Sequence, residues 1–297
     1  MGPGKKAAKF QVGMENMIVA VTCADERYRK AMEYNARAAV KKGGADRVYQ
    51  YSVSDIDPEF RKKNEHILSQ PRGNGYWLWK PYFIARTLRL LREGDYLVYC
   101  DAGIYYNASV KKLIDAMERQ GDDMMAFAIN HMEYEYTKRD VFLALDADRE
   151  EYARTPQRMA GTIVLKKTAH SARVIEEWLT LAQQDDLITD APNHLGKDNY
   201  EGFRDHRHDQ SVWSLLSKKE NVRAYRDATQ FGLPCGLCPW LWKNRKLYRG
   251  TESDYPVIFI LHRMYEVTWK VRFEIRMQYI FPKGYAVYRK FIKPSIF

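Results

Sequence analysis

Short apolar runs alternate along this chain with stretches whose apolar residues recur every three or four positions. Met17 to Thr22, MIVAVT, predicts a buried strand. It leads into a helix whose small and apolar positions are Ala31, Tyr34, Ala38 and Ala39, closed by Gly43-Gly44. RVYQYSV at 47–53 predicts a second strand, and a helix over 82–92 feeds the apolar run YLVYC at 96–100. A helix over 109–120 turns Val110, Leu113, Ile114 and Met117 to one side. Strands are expected at 124–129 (MMAFAI) and 157–165 (QRMAGTIVL), and the latter precedes a long amphipathic helix in KKTAHSARVIEEWLTLAQQ. A further helix opens near Gln210 with Val212, Leu215 and Leu216 inward, and VIFIL at 257–261 reads as the last strand. Strands alternating with helices define an α/β fold: a mostly parallel central sheet flanked by helices. The polar segments 130–156 and 185–204 read as an insertion over the sheet and a loop.

Composition narrows the class. The 297 residues are 45% hydrophobic and 29% charged, which suits a folded globular chain rather than a disordered one. No apolar run approaches the 18 or so residues of a spanning helix. Forty-eight Lys and Arg against 38 Asp and Glu give a net charge of +10, favouring anionic partners. The cations are spread along the chain and form no recognised nucleic-acid module, so nucleic acid is not expected as a partner. Four cysteines are too few for a disulfide framework, and a cytoplasmic setting is the simplest. Cys235 and Cys238 form a CxxC without the second pair a zinc site needs, and read as a turn. Residues 1–16 read as a leader or added tail, 17–265 as one domain, and 266–297 as a basic aromatic extension suited to an anionic membrane face.

Three stretches carry candidate chemistry. The run YLVYC ends on Asp101, followed by Ala102 and Gly103, and the carboxyl ends of strands are where α/β folds bind ligands. An acid there suits a metal or a ribose hydroxyl, and it also suits a turn or a helix cap. RGNGYWLWKPYFI at 72–84 places Lys80-Pro81 at a helix start, where an anion is favoured. Trp77 and Trp79 alternate, so in an extended segment one packs inward while the other, or Lys80, faces a cleft. FRDHRHDQ at 203–210 gathers His206, His208 and Asp209 before a helix; Asp209 suits an N-cap as well as a chemical role.

GNGYWLWKPYFI, GDYLVYCDAGI, QRMAGTIVLKKT, DHRHDQSVWSLL and ILHRM, in that order, resemble bacterial and viral glycosyltransferases of the GT-A type, which use nucleotide sugars in capsule, O-antigen and related glycan assembly. The resemblance covers about residues 17–265 and implies a single GT-A-like, Rossmann-like domain. It also implies a sugar transferred from a UDP-sugar to a glycan or lipid-linked acceptor, with Mn²⁺ or Mg²⁺ assisting. The family's Asp-x-Asp matches Tyr99-Cys100-Asp101, so Tyr replaces the first acid and Asp101 remains for the metal, joined by His262. Arg263 and Lys80 are then expected at the phosphates, Asp209 as general base with His208 second, and Thr22, Ala24, Tyr28 and Arg72 around the donor. The missing first acid keeps a second reading in view, a GT-A-like nucleotide-binding scaffold without turnover.

Overall fold

The computed structural model describes residues 15–232 and 255–265, with a few positions between 268 and 281. Cys235, Cys238, most of the leader and most of the C-terminal extension lie outside the described residues.

The strands are β1 (Ile18–Ala24), β2 (Arg47–Ser52), β3 (Tyr96–Cys100), β4 (Ile104–Tyr106), β5 (Met124–Met132), β6 (Pro156–Arg158), β7 (Thr162–Lys166), β8 (Ala224–Arg226) and β9 (Phe259–Leu261). The longer helices are α1 (Arg29–Ala38), α2 (Trp79–Leu90), α3 (Lys111–Arg119), α4 (Ala169–Ala182) and α5 (Asp209–Lys219). The central sheet has seven strands in the order β2-β1-β3-β7-β5-β6, with β8 beside β5. β1, β2, β3, β5 and β8 share one direction, whereas β6 and β7 run against it. The sheet is therefore mixed but mostly parallel, as expected.

Alternation along the strands divides the core in two. Val19, Val21, Cys23, Leu97 and Tyr99 point to one side, where they meet Phe83, Ile84 and Leu88 of α2, Trp178 of α4 and Trp213 of α5. Ala20, Val98 and Cys100 point to the other, against Ala38, Leu113, Ile114 and Met117 of α1 and α3. Because both faces are covered, β1 and β3 read as unbroken apolar runs. The same parity puts Asp101 on the Tyr99 side, towards α2 and α5.

Two expectations are corrected. QRMAGTIVL is two strands rather than one, divided at Met159–Gly161, where the Gly161 carbonyl accepts the Asp101 N–H at 3.0 Å. VIFIL does not join the central sheet: β9 pairs antiparallel with β4 in a separate two-stranded ribbon. The ribbon still brings the chain back to the end of β3, since the N–H groups of His262 and Arg263 both donate to the Gly103 carbonyl, at 2.9 and 3.1 Å. Among the described residues no helix is long and apolar enough to cross a membrane.

Candidate active site

A cleft of about 900 Å³ opens at the carboxyl ends of the co-directional strands. Its walls take Cys23 to Asp25 at the end of β1, Asp101 to Ile104 between β3 and the start of β4, Ala128 to His131 from the end of β5, and Arg226 and Asp227 at the end of β8. This is the location at which open α/β sheets bind ligands.

The floor is an ion-paired triad. Lys80, in the first turn of α2, points its Nζ at Asp209 Oδ2 (2.8 Å) and Asp101 Oδ1 (3.4 Å). All three line the cleft; Lys80 and Asp209 side chains are each 5% exposed, whereas Asp101 is the most open of the three at 39%. Burial pushes the Asp209 carboxyl up to about 6, and the Lys80 ammonium holds it from rising further. Burial alone would lower Lys80, but Asp101 and Asp209 reverse this and its affinity for a proton is raised. Tyr99, on the same side of β3 as Asp101, donates its hydroxyl to Asp101 Oδ1 at 2.7 Å.

The start of α5 is fixed by packing. Asp209 is the first helical residue and His208 occupies the cap position with φ +50, so Asp209 does not serve as the N-cap. The Trp178 indole N–H donates to the Asp209 carbonyl at 3.1 Å. His208 Nδ1 meets the Ile188 carbonyl at 2.9 Å, which makes Nδ1 the protonated nitrogen and leaves the lone pair on Nε2. Nε2 is buried without a hydrogen-bond partner among the described residues, and burial lowers the ring's proton affinity. His206 instead accepts the Lys138 N–H and bonds the Leu187 carbonyl, both nitrogens in use as structural anchors.

The GNGYW stretch forms the opposite wall in an unusual conformation. Residues 73 to 77 all have positive φ, giving a left-handed turn before α2 begins. The non-glycine members, Asn74, Tyr76 and Trp77, each cost about 1–2 kcal/mol in that region. Gly75 has φ +89, and a Cβ there would lie 2.7 Å from the Leu68 Cα. The extended geometry expected for this segment is thus absent. Trp77 and Trp79 both line the cleft, Trp77 stacked 5.4 Å from the His208 ring and Trp79 donating its indole N–H to the Gly73 carbonyl.

Of the residues expected around a donor, Ala24, Tyr28, Arg72 and Arg263 line the cleft. Arg72 is engaged by Asp190 at 2.9 Å and Asp205 at 3.2 Å, so phosphate would compete with two carboxylates for it. Tyr28 packs edge-on to Tyr265 at 4.4 Å. Thr22 is fully buried and does not line the cleft, and His262 is not part of its wall either. Of the other residues at the site, His131 was not singled out; Arg207 stood within the FRDHRHDQ group and Tyr99 at the first position of the Asp-x-Asp match, neither with a role assigned. Tyr99 was detectable from its position two residues before Asp101, on the same face of a strand.

The donor set does not fit the metal that the resemblance implies. Asp101 Oδ1 is shared by the Tyr99 hydroxyl and the Lys80 ammonium. His262 Nδ1 accepts the Met264 N–H at 3.1 Å, which leaves the proton of the neutral ring on Nε2 and neither nitrogen with a lone pair to give. Burial pushes His262 down to about 4, so it is neutral at pH 7. Among the described residues no three His, Cys, Asp or Glu side chains are grouped to hold a metal.

Fold and site together define an α/β protein with a ligand cleft built around buried, compensated charge. No protein-family model matches the chain, and no curated protein matches it. Among solved structures it is similar to mouse xyloside xylosyltransferase 1 in its apo form, at 10% identity and TM-score 0.43, covering 84% of this chain and 97% of that one. It is similar to the galactosyltransferase LgtC in complex with donor and acceptor sugar analogues, at 12% identity and TM-score 0.44, covering 83% and 87%. It is also similar to the apo form of the glycosyltransferase GlyE of Streptococcus pneumoniae TIGR4, at 12% identity and TM-score 0.40; it covers 84% of this chain and spans 55% of that one.

Proposed function

We propose that this chain is a GT-A-type glycosyltransferase that moves a sugar from a nucleoside-diphosphate sugar, in the first instance a UDP-sugar, to a hydroxyl of a glycan or lipid-linked glycan. The observation that carries the reading is the triad in the cleft floor, in which Lys80 joins the acid ending β3 to the acid opening α5. The sequence motifs containing these three residues are those that resemble the family.

In the transfer, the bond between the anomeric carbon and the β-phosphate oxygen breaks, its electron pair leaving with the diphosphate. The acceptor oxygen forms the new glycosidic bond, and its proton passes to the Asp209 carboxylate. A base whose proton affinity is raised to about 6 remains ionised at pH 7 yet accepts a proton more readily than an exposed carboxylate. Lys80 holds Asp209 in place and limits that rise, and Asp101 presents an oxygen to the donor sugar. His208 Nε2, buried against Trp77 with its lone pair free, is the second candidate to receive the proton. The basic aromatic extension after residue 265 is the part of the chain that would favour acceptors at an anionic membrane face.

The test is calorimetric titration with UDP, GDP and CDP, followed by chromatographic detection of UDP released from a panel of UDP-sugars with glycan acceptors. Binding of one diphosphate and its release from the matching donor are expected. If no nucleoside diphosphate binds, the reading fails. A scaffold without turnover is the second reading, favoured by the Tyr99 hydroxyl that occupies Asp101; binding with no release from any donor would establish it.

A further inference from the structure

Arg27, Arg207 and Arg263 line the cleft with no carboxylate partner closer than 3.9 Å among the described residues, and Arg27 is stacked over the Tyr265 ring at 3.9 Å. Arg207, exposed just before α5, has its nearest carboxylate contact at 3.9 Å, to Asp205, and its guanidinium lies 4.9 Å from the centre of the Tyr136 ring. Arg263 is exposed at the end of β9 and forms no ion pair among the described residues. Its backbone is pinned against the end of β3: it has φ +55, its N–H donates to Gly103, and a Cβ on Gly103 would lie 3.2 Å from its Cα. Arg207 and Arg263 come from separate segments, and both line the cleft together with His131. That ring is driven down to about 4, first by burial and then by the positive charge of Arg207, Arg263 and Arg204. Arg204 is paired with Glu135 at 2.8 Å, which leaves Arg207 and Arg263 as the two of these three cations without a close carboxylate among the described residues.

A departing diphosphate must be met by positive charge where that charge develops. Asp101 is engaged by Tyr99 and Lys80, and His262 has no lone pair to give, so the triad and its neighbours do not offer a divalent ion a seat. An arginine fork, by contrast, is always charged and matches phosphate oxygens two at a time. We infer that Arg207 and Arg263, rather than a divalent ion held on Asp101, meet the negative charge of the leaving diphosphate. This rests on the transferase reading and adds to it how the leaving group is stabilised.

The test is calorimetric titration of the full chain with UDP and with uridine, first in EDTA and then with Mn²⁺ or Mg²⁺. The expected UDP affinities agree within about twofold with and without metal. Arg207→Gln and Arg263→Gln each weaken UDP by about tenfold or more, leave uridine binding unaltered, and are partly rescued by Lys. Both positions are exposed, so an unchanged melting temperature checks that the variants are folded. UDP binding that requires Mn²⁺ and is lost in Asp101→Asn overturns the inference and leaves the transferase reading standing, as does unchanged UDP affinity in both glutamine variants. Failure of every nucleoside diphosphate to bind in either condition overturns the transferase reading, and the inference with it.

Discussion

Replacing Lys80 by Met tests the charge arrangement on which the site depends. The substitution keeps most of the side-chain volume and deletes one ammonium lying 2.8 Å from the buried Asp209 carboxylate. At an effective dielectric constant of about 20, that contact corresponds to roughly 6 kcal/mol of Coulomb attraction, much of it offset by desolvation. Breaking a buried pair from one side costs about 3–5 kcal/mol, because the remaining charge is left without compensation. The carboxylate can escape that cost by taking a proton, which makes the loss depend on pH. In the parent protein the Asp209 carboxyl is raised from 3.8 to about 6, so the folded state binds more protons in that window and this group's contribution to stability declines as pH rises through it. Without Lys80 the folded-state value rises further and the decline continues past pH 6. Urea unfolding should therefore show Lys80→Met only mildly destabilised at pH 5 and much more so at pH 8. Adding Asp209→Asn should recover a large part of the pH 8 loss. A loss independent of pH, or a double variant equal to the sum of its singles, would refute the coupling.

Three further outcomes follow from contacts away from the triad. Burial would raise Asp148, but hydrogen bonds from Arg139, Lys197 and Tyr200 bring it down to about 2. Asp148→Asn should thus cost about 2 kcal/mol at pH 7 by denaturant unfolding, a difference that vanishes as pH falls from about 4 towards 2. Gly161→Ala sets a Cβ 2.9 Å from Asp101 Oδ2, the movable end of a side chain; stability should change by less than about 1 kcal/mol while nucleotide-sugar turnover falls, and the reverse result would show that Asp101 is not constrained there. Gly75→Ala meets the Leu68 backbone in a left-handed conformation and should cost more than about 2 kcal/mol in thermal unfolding; a near-neutral result would refute the left-handed turn.

The sheet was legible because strand burial depends on local alternation. β1 and β3 match the expected strands to within about two residues at each end, since two-sided burial produces unbroken apolar runs; α1 itself ends at Ala38, and a π-helical turn over Ala39–Gly43 carries the chain on to Gly44, where the helix was expected to close. Strand direction was not legible in the same way. Nothing in QRMAGTIVL distinguishes a strand running with β3 from one running against it. The split at Met159–Gly161 follows from the approach of Asp101, a contact between segments distant in sequence. The same limit applies to VIFIL, whose partner in the ribbon is β4.

The site shows the distinction at the level of single atoms. Asp101, Lys80 and Asp209 were each recognisable as chemically suited to a strand end or a helix start, and each sits at such a position. That Lys80 lies between the two acids was not recognisable, because the contact depends on how α2 and α5 cross the face of the sheet on which Tyr99 lies. The resemblance made His262 an expected metal ligand. Its ability to coordinate depends on which ring nitrogen holds the lone pair, and the Met264 N–H, a backbone group present in any sequence, decides that. Tyr99 carries the strongest lesson. Taken as a lost acid, it weakens the case for a working site; taken as a hydroxyl donating to Asp101, it helps Lys80 hold that carboxylate in place, and under the proposed transferase reading the arginines facing the cleft are then the groups that would meet a diphosphate.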